Sequence, residues 1–217
     1  MSSVSSVSGF VEPGLREEFP GLRLAYTAVD ARVRGSSREV ERRLRDLSNR
    51  YRGAGVVAMR TQPIPHAYRA FFRQVGLDPD TARIPSEAAA VDRLLHGRFQ
   101  SRDLVADALL IAVVETGVPV WALDARMADL SSLGIRIAVA GDLTGDGPGS
   151  GFPLAEGQLV VADAGAVHAT LFGEVVAAHA PGPRTSRIVL FAVGVDGVPA
   201  IHVEEALWVA VDALRAS

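Results

Sequence analysis

The segment ARIPSEAAA combines groups that could do chemistry in a few residues. The guanidinium of Arg83 could pair with Glu87, with Asp107 or with a ligand anion, because its planar fork matches oxyanion geometry. The same segment also suits a helix start, since Pro85 loses no hydrogen bond in a first turn, Ser86 is a suitable N-cap and Glu87 favours the positive helix end. We expect a helix start first, and a ligand site that includes Arg83, Ser86 and Glu87 second.

Other catalytic and metal-binding patterns are not found in the sequence. The chain has no cysteine, which excludes disulfides, thiolate metal ligands and a cysteine nucleophile. It contains no Walker A loop, no GxGxxG after a strand, no HExxH and no GxSxG serine. His168 and His179 could face each other across a hairpin, but no carboxylate stands at ligand spacing. We therefore predict no metal and no cofactor, and we expect the glycine-rich GDGPGSG to be a flexible loop.

The charged residues are distributed unevenly along the 217 residues. All 22 basic residues are arginines, and between Arg32 and Arg102 fifteen arginines stand against seven acidic residues. The rest of the chain is acidic, and the net charge is −3. The basic half is either a phosphate-binding face or a set of solvated helix surfaces. For the first alternative the candidate RNA-binding residues are Arg42, Arg43, Arg45, Arg69 and Arg73.

Hydrophobic periodicity divides the chain into a helical first half and a strand-rich second half. FPGLRLAYTAVDARV predicts an opening strand. Helices are expected after a capping box of Ser36 and Glu39, over PHAYRAFFRQVG, over SEAAAVDRLLH and over about residues 101–116. VPVWAL, IRIAVA, QLVVAD, VHATLF and RIVLFAVGV then predict strands, before a last helix over about residues 202–216. The predicted fold class is α+β, with a helix-rich N-terminal half packed on a mostly antiparallel sheet or sandwich from the C-terminal half.

The N-terminal sequence MSSVSSVSGFVEPG has neither the basic region nor the apolar region of a secretory signal. We expect residues 1–18 to form a flexible leader and residues 19–217 to form a single domain. No apolar stretch approaches the roughly 18 residues of a membrane span, so we expect no membrane partner and a cytoplasmic location.

The longest patterned segment resembles a known family. YRAFFRQVGLDPDTARIPSEAAAVDRLLHG is similar to the stretch YRxFFxxxGxDPxxxRPSSEALxRRxLxG of stand-alone B3/B4-domain proteins. The same unit forms part of the β subunit of phenylalanyl-tRNA synthetase, where it houses a hydrolytic editing site. The resemblance continues in LVADALLIAVVETGVPVWALD, LAEGQLVVADAGAVHATLF and RTSRIVLFAVGV. It implies a B3/B4-like fold and an association with tRNA or aminoacyl-tRNA.

The sequence departs from this family where the editing pocket would lie. A Thr-Asn pair on the buried helix is replaced by Leu109 and Leu110, a His by Trp121, and a late Glu by Phe191. Ester hydrolysis needs a group that orients water or polarises the carbonyl, and these apolar side chains do neither. Asp107, in contrast, matches the family aspartate. The resemblance therefore implies ligand-pocket residues at Asp107, Leu110, Trp121 and Phe191 but assigns no catalytic residue.

Three functions are consistent with these observations. The first is aminoacyl-tRNA editing in trans by ester hydrolysis. The second is a non-catalytic module that binds an amino-acid-like small molecule, with Trp121 closing an apolar cavity and Arg83 meeting a carboxylate. The third is RNA binding by the basic helices, which would weaken steeply as salt rises.

Overall fold

The structure is a computed structural model that describes residues 5–51, 58–144 and 152–216. The helices and strands alternate irregularly along the chain. The strands are Val7–Ser8 (β1), Phe10–Val11 (β2), Arg23–Asp30 (β3), Val120–Asp124 (β4), Gly134–Ile137 (β5), Leu143–Thr144 (β6), Phe152–Pro153 (β7), Leu159–Ala162 (β8), Val167–Thr170 (β9) and Arg187–Gly194 (β10). The helices are Pro13–Glu18 (α1), Arg38–Arg50 (α2), Pro63–Gln74 (α3), Pro85–His96 (α4), Leu104–Thr116 (α5) and Ala200–Arg215 (α6), with a 3₁₀ turn at Ala177–His179.

The first sheet has the strand order β1-β3-β10-β4, and all of its pairs are antiparallel. β3 and β10 pair over their full lengths, from Arg187 opposite Asp30 to Gly194 opposite Arg23. Every residue of β10 after Arg187 is buried, as its continuous apolar run requires. Helices α5 and α6 pack against each other, and both contact this sheet.

The second sheet has the order β2-β5-β8-β9 and is antiparallel except for the pairing of β2 with β5. At that parallel pair the two backbones approach closely. A Cβ added to Gly134 would lie 2.4 Å from the carbonyl oxygen of Phe10. A side chain at position 134 would therefore displace β2.

The predicted α+β class is confirmed, since the described residues combine helices with two mostly antiparallel four-stranded sheets. The predicted leader is wrong from Val7 onward. Val7–Ser8 pairs with β3, Phe10–Val11 pairs with β5, and Leu15 of α1 is buried. The serine-rich composition suggested disorder, but the two sheets offer edges whose backbone groups these short strands satisfy. GDGPGSG lies outside the described residues.

The N-caps of two helices differ from those predicted. The cap of α2 is Ser37, whose Oγ accepts from the backbone N–H of Val40 at 3.3 Å, whereas Ser36 points its hydroxyl to Asp107. Ile84 occupies the N-cap position of α4 and Pro85 follows it, so Ser86 lies inside the first turn and does not cap it. Ser36 and Ser37 are adjacent and have the same capping propensity, so sequence pattern does not separate them. In α4 the first helical position is occupied by Pro85, which leaves Ile84 at the cap.

Candidate functional site

Arg69 and Glu87 form a buried ion pair between α3 and α4. Nη1 of Arg69 lies 3.0 Å from each carboxylate oxygen of Glu87, and its Nη2 donates to Asp80 at 2.8 Å. Arg69 is only 6% exposed and Glu87 only 4%. The hydrogen bond to Asp80 acts most strongly on the pKa of Arg69 and raises it, although burial alone would lower it. The pair joins two helices and closes the space between them.

Arg83 has no part in that pair. Its side chain is exposed, and no described residue forms a hydrogen bond or an ion pair with it. The predicted pairing of Arg83 with Glu87 or Asp107 is therefore wrong, because both carboxylates are bound by other groups. The partner of Glu87 is Arg69, eighteen residues earlier, on the helix that packs beside it.

Asp107 is buried in a junction between α5 and the segments before α2 and α5. Its Oδ2 accepts from the hydroxyls of Ser36 and Ser101 at 2.6 Å each, and its Oδ1 accepts from the N–H of Arg102 at 2.9 Å. Three donors satisfy this carboxylate. Asp107 therefore holds together the starts of two helices, and its geometry offers no group to a ligand.

Trp121 and Phe191 face each other across β4 and β10. Their rings are stacked with centroids 5.4 Å apart and an interplanar angle of 12°. Leu110 is half-buried and packs against the same hydrophobic core. The structure thus brings together two of the seven predicted pocket residues, Trp121 and Phe191, as a cross-strand pair. It does not place Arg83, Ser86, Glu87 or Asp107 beside them in one pocket.

Phe172, just after β9, is the centre of an aromatic cluster that sequence reasoning missed. The centroid of its ring lies 6.0 Å from that of Trp121. It also lies 5.7, 5.8 and 5.1 Å from the ring centroids of the α3 residues Tyr68, Phe71 and Phe72. Among the described residues it is the one non-glycine residue with a positive φ, 64°. Such a backbone is strained for an aromatic residue and persists only where surrounding contacts hold it.

Phe172 also lines an open cleft of about 340 Å³ beside α1. We call this the aromatic cleft. Its walls come from α1, the end of α3, β5, the start of β8 and the segment after β9. They are Leu15, Glu18, Phe19, Gln74, Val75, Leu77, Ile137, Gly157, Gln158, Leu159, Leu171 and Phe172.

The chemistry of the aromatic cleft suits binding better than hydrolysis. Glu18 is the one ionisable side chain among the described residues that line it, and Gln74 and Gln158 are the amides. Glu18 is exposed, and no second ionisable side chain of the described residues lines the cleft to act with it. Two phenyl rings, several aliphatic side chains and one carboxylate can hold an apolar body that carries a cationic group. The sequence signal for this site was weak, because Phe19 and Phe172 stand 153 positions apart.

The arginines predicted to bind RNA occupy different environments. Arg42, Arg45 and Arg73 are exposed. Arg43 binds Glu115 through Nε and Nη2 at 2.8 and 2.7 Å and Asp212 through Nη1 at 3.0 Å. The burial of Arg69 removes it from any phosphate-binding surface in this fold, so that prediction is corrected.

Three other arginines share a groove. Arg32, Arg34 and Arg215 are exposed and line a depression of about 540 Å³, together with Asp30 and Ser186. We call it the basic groove. Three guanidinium groups in one depression create a positive potential that favours phosphate.

A histidine pair lies at the end of the second sheet. Nδ1 of His168 is 3.0 Å from Nδ1 of His179, and Nε2 of His168 is 2.9 Å from Oδ2 of Asp163. The sequence shows no carboxylate at metal-ligand spacing, and the fold nevertheless brings Asp163 into hydrogen-bond contact with His168. Burial acts to raise the pKa of Asp163, but the N–H groups of Asp129, Gly165 and Ala166 and the His168 ring lower it overall. Across the described residues, no three His, Asp or Glu side chains are arranged to hold a metal ion.

Comparison with known proteins gives no family assignment. No protein-family model matches the chain, and a search of curated proteins finds no match. Within the described part of the chain, no helix has both the length and the apolar character needed to cross a membrane.

Proposed function

We propose that the chain is a B3/B4-like module that binds a small, amino-acid-like molecule in the aromatic cleft and does not hydrolyse it. The observation that carries this proposal is the composition of the cleft wall, in which Phe19 and Phe172 accompany a single carboxylate, Glu18. An aromatic or aliphatic side chain would lie against the phenyl rings, and an ammonium group would lie near Glu18. The sequence resemblance supports the ligand class, since the related editing domains act on aminoacyl esters.

The test is a titration of the intact protein with L-phenylalaninamide, followed by isothermal calorimetry. Its ammonium group is absent from N-acetyl-L-phenylalaninamide, which serves as the neutral comparison. We expect the cationic amide to bind more tightly. Glu18→Gln should weaken binding of L-phenylalaninamide about two- to fivefold, as expected for an exposed charge pair. The affinity for the acetylated compound should not change.

Glu17→Gln is the matched control, because Glu17 precedes Glu18 on α1, is exposed and does not line the cleft. Equal weakening by both variants would show a general charge effect and count against the assigned contact. Phe172→Leu keeps an apolar side chain but removes the ring, and about two- to tenfold weaker binding of both compounds is expected. Unchanged binding in that variant would overturn the placement of the ligand in the cleft.

A second candidate function is association with tRNA, and the basic groove is the observation that favours it. Three exposed arginines in one depression can contact backbone phosphates without reading sequence. Binding of uncharged tRNA at two salt concentrations tests this function, since phosphate contacts weaken steeply with salt. A panel of mischarged aminoacyl-tRNAs in the same assay tests catalysis. Turnover of any ester in the panel would contradict the non-catalytic part of the first proposal.

A further inference from the structure

The first turn of α4 presents backbone N–H groups that the protein does not use. The N-cap residue is Ile84, whose side chain cannot accept a hydrogen bond, and Pro85 has no N–H. The N–H groups of Ser86 and Glu87 precede the first intrahelical bond, which Ala88 donates to Ile84. No described residue accepts from either of them. Unpaired N–H groups at the start of a twelve-residue helix attract negative charge.

The side chain of Ser86 supplies a second and independent sign of a missing partner. Ser86 is 4% exposed, and its Oγ is the one buried side-chain polar atom of the described residues without a hydrogen-bond partner. Ser48 shows the usual situation. It is equally buried, but its Oγ donates to Leu44 at 2.8 Å and accepts from the N–H of Phe99 at 2.9 Å. Since a buried hydroxyl without a partner is costly, Ser86 marks a place where an external group belongs.

Ser86 lines a cavity of about 430 Å³ at the meeting point of three helix ends. We call this the Ser86 cavity. The start of α3 contributes Gln62 to Pro65, and the end of α5 contributes Val114 to Gly117. Gln62 is the N-cap of α3 and makes no side-chain capping bond, so two uncapped helix starts border one cavity.

The charges around the cavity restrict what it can hold. The carboxylate of Glu115 lines it but is bound by Arg43 at 2.7 Å, and the neighbouring Glu87 is bound by Arg69. Both arginines are therefore already engaged, and neither remains to neutralise a dianion such as phosphate. Met59, Ile64 and Val114 provide apolar surface on the same walls. A monoanion with a short apolar body fits these conditions.

We propose that the Ser86 cavity binds a small organic carboxylate. Its oxygens accept from the N–H groups of Ser86 and Glu87 and from the Ser86 hydroxyl, and its apolar part contacts Met59, Ile64 and Val114. This site is separate from the aromatic cleft and does not depend on the function proposed for that cleft.

The experiment is a titration of the ¹⁵N-labelled full chain with sodium isobutyrate, followed through its backbone amide signals. Isobutyramide, which has the same shape without the charge, and inorganic phosphate are titrated in parallel. We expect the Ser86 and Glu87 amides to shift saturably with isobutyrate alone. The Gly157 and Gln158 amides report on the aromatic cleft and should not respond, so failure at one site is distinguishable from failure at the other.

Ser86→Ala should weaken isobutyrate binding about tenfold, as expected for the loss of one hydrogen bond to a charged group. The variant should unfold at the same urea concentration as the parent or a higher one, because the removed hydroxyl has no partner among the residues that the structure describes. Ser48→Ala is the matched control, with a lower urea midpoint and unchanged isobutyrate affinity. An equal response to isobutyramide, a response to phosphate alone, no response, or full affinity in Ser86→Ala would each overturn the proposal.

Discussion

Two neighbouring residues in the first turn of α4 have opposite environments. Glu87 faces α3, and both of its carboxylate oxygens are bound by the buried guanidinium of Arg69. Ser86 faces the cavity between the starts of α3 and α4 and the end of α5, and its hydroxyl has no hydrogen-bond partner in the described part of the chain. One side of the turn is closed by the protein itself, whereas the other remains open to an external group.

This difference distinguishes polar groups that hold the fold together from polar groups that are open to a ligand. Buried polar groups that find partners within the fold, such as Arg69, Glu87 and Asp107, determine how helices are joined. The Ser86 cavity and the aromatic cleft, in contrast, are lined by polar groups that remain available to a ligand. Of the charged candidate residues from the sequence, Arg69, Glu87 and Asp107 belong to the first class, whereas Arg42, Arg45, Arg73 and Arg83 are exposed.

The closed side of the turn should be the more sensitive to mutation. Arg69→Met leaves the carboxylate of Glu87 buried, and Arg60, with its Nε 3.6 Å from Oε1, is then the one cationic partner among the described residues. We expect the free energy of unfolding to fall by about 3–5 kcal/mol, measured by urea denaturation. The double variant Arg69→Met/Glu87→Leu should recover most of that loss, because it removes the unpaired charge. A single variant as stable as the parent would show that the pair does not join the helices.

Asp107 offers a second test of the same distinction, with a smaller effect. Asp107→Ala removes the acceptor shared by Ser36, Ser101 and the Arg102 N–H, and a loss of about 2–3 kcal/mol in unfolding free energy is expected. Asp103→Ala, on the same turn, removes only the N-cap bonds to Val105 and Ala106 and should cost about 1 kcal/mol. Equal costs in the two variants would contradict the central position assigned to Asp107.

Arg83 should show the smallest effect. Since its side chain is exposed and unpaired within the described structure, Arg83→Ala should change the free energy of unfolding by less than about 0.5 kcal/mol. The melting temperatures of Arg83→Ala and Arg69→Met, measured side by side, compare the two arginines of the same sequence motif. A loss of several degrees in melting temperature would reveal a partner for Arg83 and restore the pairing expected from sequence.

The aromatic residues of α3 were predictable from sequence, whereas the position of Phe172 was not. The helix over PHAYRAFFRQVG was predicted from sequence, and its Tyr68, Phe71 and Phe72 form a buried stripe. Phe172 was placed in a strand-like segment, but it follows β9 with a positive φ and packs on that stripe. No local pattern indicates such a contact, because it depends on how β9 ends relative to α3.

Glu87 contributes to stability in two ways that differ in size. As a helix-end residue alone, Glu87 would contribute about 0.5–1 kcal/mol through the helix dipole. As the buried partner of Arg69, its replacement by alanine removes a carboxylate bound to this guanidinium, which keeps its hydrogen bond to Asp80, and should cost about 1.5–3 kcal/mol. The difference comes entirely from a residue on another helix.

Sequence pattern was enough to predict the α+β class and the approximate extent of most helices and strands. These properties follow from periodicity, helix breakers and capping residues, which act within a few positions of one another. Three features became visible in the folded chain alone: Arg69, and not Arg83, binds Glu87; Val7–Ser8 and Phe10–Val11 complete two sheets; and the Ser86 hydroxyl finds no partner among the described residues. Those outcomes depend on which elements pack together, and a side chain's partner across such a contact carries no signature in its own local sequence.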